Sequence, residues 1–352
     1  MPILQGFGDM ISVKNAPMKV IVRGNSVAAW CCARILQEAG MKPALELTGR
    51  SRLPAIMLSE NALSLIRDVF GQPALFRTAP RITRRIVKWG PDAEPRALDH
   101  EAIVVSEQEL LAGLQQGIDL PDPGERADFT IYASRPLPGE TVEHTFGSRI
   151  ASAIGVQLKD AADSSSCWIE SLEEGWLFLI PTAVDSAWLL SVGCPPESIL
   201  DRSRVIAERI ASMDGPAGAF PASPRILSPL CGPGWLACGT AGMAFDPICG
   251  DGTAHAIREA ILAAAVVQAI AGGGNEASLL SHYESRLTVG FQRHLASCVD
   301  FYRSGGSGTW WDHELDALYR GLQWCSARME HRGKFRYQLI GFELKEVAPG
   351  PV

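Results

Sequence analysis

Between Val20 and Gly40 the chain passes from an apolar β-branched run through a tight polar turn into a helical pattern, and that order of elements restricts the fold more than anything else in the sequence. Val20-Ile21-Val22 reads as a buried strand, Gly24-Asn25-Ser26 as the turn, and the helical spacing continues through Ala39 to a terminating Gly40. Ala44 to Leu47 reads as a second strand with Glu46 near its end, which completes the β-α-β unit that opens dinucleotide-binding folds. In a G-x-G-x-x-G turn, free backbone N–H groups and the helix dipole meet a diphosphate. Here Gly24, Ser26 and Ala29 stand at the three positions, so two glycines are replaced by the next smallest residues. Glu46 lies about twenty residues on, where an acid accepts hydrogen bonds from ribose hydroxyls.

A second such unit begins at Trp235. Leu236-Ala237-Cys238 reads as a short buried strand, Gly239 to Gly252 as a glycine-rich loop, and Thr253 to Ala271 as a long alanine-rich helix ending in three glycines. Between the two units, Pro54 to Phe70 has helical spacing, Arg81 to Trp89 reads as a strand, Glu107 to Leu114 as a helix, and Phe129 to Tyr132 as a buried strand after a turn at Pro121-Asp122-Pro123-Gly124. Cys167 to Val192 reads as two short strands around Glu173-Glu174-Gly175 and Pro181, and Leu200 to Met213 as an amphipathic helix. From Ala277 onward the pattern is mostly helical.

With 39 acidic and 32 basic residues, the net charge of -7 repels a nucleic-acid backbone. The most apolar helical stretch, Ala260 to Ala271, is too short to span a bilayer, and no signal-type segment is seen near Met1, so a cytoplasmic protein without a membrane partner is expected. Nine cysteines, odd in number and without a C-x-x-C pair, sit mostly in apolar runs and read as reduced core residues rather than a metal site.

The run from Trp235 to Ala264, with Gly239-Thr240, Asp246-Pro247 and Gly250-Asp251-Gly252, resembles the second FAD motif of the hydroxylases related to p-hydroxybenzoate hydroxylase and of the flavin-dependent tryptophan halogenases. Thr240 stands where that family has an aspartate. Further similarities follow in order: Ser59-Glu60 before a helix, Trp89-Gly90 at a strand end, Phe129 to Arg135, Gly175-Trp176-Leu177-Phe178-Leu179-Ile180-Pro181, and Arg336 to Phe342. Val105-Ser106 replaces the family's Asp-Arg. The resemblance implies an α/β fold: a discontinuous Rossmann-like FAD-binding domain over 1–75, 100–135 and 226–290, an inserted β-rich substrate domain over 76–99 and 136–225, and a C-terminal helical region over 291–352. It implies FAD as cofactor, bound through Gly24, Ser26, Ala29, Glu46, Gly239, Asp246, Pro247, Gly250 and Gly252.

Halogenases of this kind use a lysine eight residues before the tryptophan; counting back from Trp89 gives Arg81, whose guanidinium cannot form a chloramine, so halogenation is disfavoured. The resemblance is nearest to the flavoproteins that mature tryptophylquinone cofactors, which implies monooxygenation of an aromatic ring. The substrate is then an aromatic small molecule or a tryptophan of a partner protein, with electrons from external flavin or NAD(P)H. Glu60, Trp176 and Phe178 are the candidate catalytic residues. Glu60 also reads as a helix-dipole partner, the two aromatics as core, and Arg84, Arg85 and Lys88 as a solvated strand face. The competing class is a protein that keeps the fold but binds a partner without redox work.

Overall fold

The computed structural model describes residues 18–49, 51–118, 127–330 and 337–347. The first half contains β1 (Val20–Arg23), α1 (Val27–Glu38), β2 (Ala44–Glu46), β3 (Ile56–Ser59), α2 (Glu60–Phe70), β4 (Arg81–Lys88), β5 (Arg96–Val105), α3 (Glu107–Gln115), β6 (Phe129–Tyr132), β7 (Val142–Thr145) and β8 (Ile150–Leu158). There follow β9 (Ser166–Leu172), β10 (Gly175–Pro181), β11 (Ser186–Val192), the one-turn α4 (Pro196–Ile199), β12 (Ile210–Pro221), β13 (Arg225–Ser228), β14 (Cys231–Gly232), β15 (Trp235–Ala237) and β16 (Met243–Ala244). The long helices α5 (Gly252–Ala271), α6 (Glu276–Gly305) and α7 (Thr309–Met329) precede a hairpin of β17 (Tyr337–Ile340) and β18 (Glu343–Glu346).

Four strands form a parallel sheet in the order β15-β6-β1-β2, with β14 antiparallel at its edge. Strands this short are stable only when buried on both faces, and Val20, Val22, Phe129, Ile131 and Leu236 are all buried. Helix α1 packs against α5, and α5 offers Ala260, Ala263 and Ala264 as fully buried small residues that allow the helices to approach closely. By length and composition α5 would cross a bilayer, longer than the apolar core the sequence suggested, but most of its apolar surface is buried as a core helix.

The second sheet has eight strands in the order β12-β8-β11-β10-β9-β4-β5-β3, antiparallel except for the parallel pair β4 and β9. Alternation along β10 divides the two cores: Trp176 and Phe178 face the main core, whereas Leu177 and Leu179 face a smaller cluster with Leu189, Ile199 and Ile206. A separate small sheet has the order β16-β13-β7. Helices α6 and α7 pack on each other and close the molecule.

Several expectations are corrected here. Ile56–Ser59 is a strand, not the first turn of a helix, because Ser59 caps α2 and the preceding residues pair with β5. Leu200 to Met213 is short turns followed by β12, because Glu170 collects the backbone amides of Arg204, Val205 and Ile206 and holds them out of helical register. Cys167 to Val192 contains three strands. The last described residues form a hairpin rather than a helix. Strand β3 belongs to the large sheet, β5 runs across residue 100 and α6 across residue 290. The turn at Pro121 to Gly124 and Arg336 lie outside the described residues.

Candidate active site

The carboxyl ends of β1, β6 and β15 lie side by side at one end of the parallel sheet. Gly24 donates its amide to the Glu46 carbonyl at 2.9 Å, Ala133 to Arg23 at 2.8 Å and Cys238 to Tyr132 at 2.9 Å. Gly24 has φ +145°, and a Cβ there would lie 3.1 Å from the Ala133 carbonyl carbon, so this turn needs glycine for both reasons. Ser26 caps α1, its hydroxyl accepting from the Ala29 amide at 3.4 Å. The second loop lies on the same helix: Gly239 has φ +56°, and a Cβ there would come within 2.8 Å of the Ala28 side chain. Its amide donates at 2.8 Å to Glu259, a buried carboxyl on α5 raised to about 8 by desolvation.

Two arginines flank the first turn. Arg23 pairs with Glu46 at 2.7 Å and lies over the Tyr132 ring. Arg52 donates to the Asn25 carbonyl at 2.9 Å, held there by Glu107, whose carboxylate accepts from the Leu53 amide at 2.8 Å and whose own amide donates to the Leu53 carbonyl at 3.0 Å. A glycine turn, a helix N-terminus and two guanidinium groups form a donor set that fits a dinucleotide diphosphate. Glu46 stands at the strand end where a ribose would be met, with one carboxylate oxygen already on Arg23.

Asp246 opens the other glycine turn, a single 3-10 turn over Pro247–Cys249 that ends at Gly250 in the left-handed region, φ +65°. Gly252 begins α5. The Asp246 carboxylate points behind the turn: it accepts from the Ile248 amide at 2.9 Å and the Tyr302 hydroxyl at 2.8 Å, and lies 3.1 Å from Arg149. Its amide donates to His294 Nε2 at 2.9 Å. Arg149 is fully buried, lies 3.2 Å from Glu314, donates to the Phe146 carbonyl and covers the Tyr302 ring. Glu314 accepts from the Ser148 amide and hydroxyl. Trp176 donates from Nε1 to the Tyr302 oxygen at 3.3 Å, which ties β10 into this network. Burial raises the Asp246 carboxyl despite the opposing Arg149 charge, and it also raises the Tyr302 hydroxyl.

On its other side the Gly250 turn meets Arg85 of β4, whose guanidinium lies 3.7 Å from where a Gly250 Cβ would be. Arg85 donates to His100 Nε2 at 2.9 Å. An arginine can only donate, so His100 accepts at Nε2 and carries its proton at Nδ1. Burial, then the Arg85 charge, lowers the imidazole to about 4, which keeps it neutral near pH 7.

The structure thus brings Gly24, Ser26, Ala29 and Gly239 together at one turn, and Asp246, Pro247, Gly250 and Gly252 at another. Trp176 is fully buried, edge-on to Trp89, and Phe178 stands beside it on the same strand face. Glu60 is separate from these groups: its side chain is 56% exposed and lies 3.7 Å from Arg67 on the surface of α2. The basic strand face is not solvated throughout, since Arg85 reaches the turn and Lys88 is buried near Glu170. Arg81 remains exposed at the start of β4. Sequence reasoning missed Arg52, His100, Arg149, Tyr302 and Glu314; the Glu107 and Glu109 pair after Ser106 was a legible helix start, but nothing in it pointed to Arg52.

No protein-family model matches the chain, and no curated protein matches it. Solved structures do. The myxobacterial chondrochloren halogenase CndH superposes with a TM-score of 0.72 at 17% identity, over 89% of this chain and 91% of that one. The fold is that of flavin-dependent halogenases and monooxygenases. QhpG, a peptidyl tryptophan dihydroxylase essential for tryptophylquinone cofactor biogenesis, gives a TM-score of 0.68 at 19% identity over 94% of this chain and 86% of that one. HpxO of Klebsiella pneumoniae, solved with FAD, gives 0.58 at 15% identity over 89% and 93%.

Proposed function

We propose that this protein is an FAD-dependent oxidoreductase that oxygenates an aromatic ring. The observation that carries this reading is the pairing, in one flavoprotein fold, of a diphosphate turn at Gly24 and Ser26 with a glycine turn at Gly250 that faces Arg85 and His100. Gly24, Ser26 and the amides following them, with Arg52, would hold the diphosphate; Glu46 would hold the ribose; the backbones of Gly239, Gly250 and Gly252 would line the remainder. Bound FAD supplies the redox chemistry and, once reduced, the activation of dioxygen. Arg85 keeps a fixed positive charge at the turn, and neutral His100 holds a proton at Nδ1 while its Nε2 is engaged by Arg85. Trp176, Phe178 and the Trp89, Tyr302 and Trp311 rings around Trp176 exclude water from the sheet face behind the turn. The buried Arg149 network fixes that turn from behind.

Within this class, a tryptophan side chain of a partner protein is the substrate we favour. The support is the resemblance along the chain and the fold shared with a peptidyl tryptophan dihydroxylase. Arg81 in place of the lysine of the halogenases argues against halogenation. The test has two stages. Purified protein is mixed with excess FAD and freed of unbound flavin, and the flavin band is read; near-stoichiometric retention is expected. The loaded enzyme, reductant and a tryptophan-bearing candidate substrate protein are then combined and the substrate is mass-analysed; addition of oxygen to tryptophan is expected. Unmodified tryptophan with active flavin overturns the substrate. Failure to retain flavin favours the binding-protein reading, whose support is that Arg23 already engages the Glu46 carboxylate.

A further inference from the structure

Cys249 closes the 3-10 turn after Asp246, and Cys298 faces it from α6 with the two sulfurs 3.9 Å apart. His294, one helical turn before Cys298, has Nε2 3.3 Å from the Cys298 sulfur. The three candidate ligand atoms lie within 4.8 Å of one another, the spacing of a metal cluster. The imidazole lone pair is already committed, however, because Nε2 accepts the Asp246 amide at 2.9 Å. Burial, with the neighbouring His255 and Arg149, lowers His294 to about 3, so it is neutral and suited to accepting that hydrogen bond. The Cys298 sulfur lies 3.9 Å from Cys249 Sγ and 3.3 Å from His294 Nε2.

The molecule contains an internal comparison. Cys32 and Cys238 also stand 3.9 Å apart, but both are fully buried, Cys32 bonded toward the Ala260 carbonyl in the packed contact between α1 and α5. Cys249 is half-buried, and Gly250 directly after it adopts a left-handed conformation in the turn. Equal separation with unequal access predicts unequal reactivity.

We propose that Cys249 and Cys298 are an oxidisable thiol pair that a hydroperoxide converts to a disulfide joining the Asp246 turn to α6. The more accessible Cys249 reacts first: its sulfur attacks one oxygen of hydrogen peroxide, the S–O bond forms as O–O breaks, and the departing hydroxide leaves as water with the Cys249 proton. The Cys298 sulfur then attacks Cys249 Sγ; S–S forms, S–O breaks, and the departing hydroxide leaves as a second water with the Cys298 proton. Two thiols and one hydrogen peroxide give one disulfide and two waters, the sulfurs supplying both electrons. The sulfurs must close to about 2 Å, a displacement that side-chain rotation and a small turn movement provide.

The test uses the full reduced protein without added flavin, so its outcome is independent of the oxygenation reading. Hydrogen peroxide is added in a small excess, remaining thiols are alkylated, and peptides are mapped without reduction. The expected result is a linked peptide pair containing Cys249 and Cys298, lighter than the two thiols by about 2 Da, with Cys32 and Cys238 unlinked. In Cys298→Ser, Cys249 is expected to stop as a sulfenic acid that dimedone labels. Cys249 recovered as free thiol or as sulfinic acid in the wild-type protein, with no link to Cys298, overturns the proposal. So does equal linking of both pairs, or complete protection of Cys249 and Cys298 by one equivalent of zinc, which would mark a metal site instead.

Discussion

Replacing Arg149 by methionine removes the buried guanidinium that lies between Asp246 and Glu314, and the structure sets the size of the effect. Both carboxylates have fully buried side chains; Asp246 would keep the neutral donors Ile248 and Tyr302, and Glu314 would keep Ser148 and the exposed His313, whose Nδ1 lies 3.5 Å away. An unpaired buried carboxylate escapes by taking a proton. For Asp246, with an ordinary value of 3.8, binding a proton at pH 7 spans 3.2 pH units, or about 4.4 kcal/mol at about 1.36 kcal/mol per unit. That agrees with the loss of about 3–5 kcal/mol for breaking a buried pair, so Arg149→Met is expected to lose at least about 3 kcal/mol at pH 7. The sign of the pH dependence is the diagnostic feature. In the variant the folded state binds a proton at Asp246 that the unfolded state releases, so stability rises as pH falls; moving from pH 7 to 5 returns about 2.7 kcal/mol. Adding Asp246→Asn to Arg149→Met should weaken that dependence. Urea unfolding followed by fluorescence at pH 5, 6 and 7 measures both quantities. A loss under about 1 kcal/mol, or a loss independent of pH, would refute the argument that Arg149 neutralises buried charge.

Glu259→Gln tests the buried carboxyl behind Gly239: its folded value of about 8 exceeds the ordinary 4.5, so the stability it contributes is full below 4.5 and is lost as pH rises through about 8. The glutamine variant should lack this fall, at most about 1.4 kcal/mol per pH unit, and overtake the wild type at alkaline pH in urea titrations. Gly175→Ala should destabilise by about 3 kcal/mol or more, since a Cβ would sit 1.9 Å from the Val192 carbonyl oxygen at φ +139°; thermal unfolding or soluble yield reads it. Arg85→Met should retain FAD while lowering turnover by about 100-fold, and His100→Gln should alter the acid limb of the rate profile near pH 4; turnover with unchanged flavin retention separates a role at the turn from a fold defect.

The strand-turn-helix units were legible because each local signal agreed with the tertiary fold: Gly24, the Ser26 cap and Gly239 stand where backbone conformation and close approach require small residues. The core reading of Trp176 and Phe178 agrees with their burial, whereas the alternation that sends Leu177 and Leu179 to the smaller cluster was not read from the sequence. The Leu200 to Met213 segment misled because its helical spacing was overridden by Glu170, a carboxylate thirty or more positions away that captures three amides. Arg149 carries no periodic signal; its role depends on Asp246 and Glu314, about 97 and 165 residues later, meeting at one point, and sequence pattern does not encode such convergence. His100 was hidden likewise, exposed by pattern on a long strand but turned onto Arg85.

The assembly of the parallel sheet from distant parts of the chain has a consequence for biosynthesis. Strands β1, β2 and β6 emerge from the ribosome long before β15 and the Gly239 loop, whose contact with Ala28 spans more than 200 positions. Until then β6 is an open parallel edge, and α1 lacks the alanine face of α5. A nascent chain that ends before β15 and α5 therefore exposes an unfinished sheet, and the Gly24 and Gly239 turns meet only in the last third of synthesis.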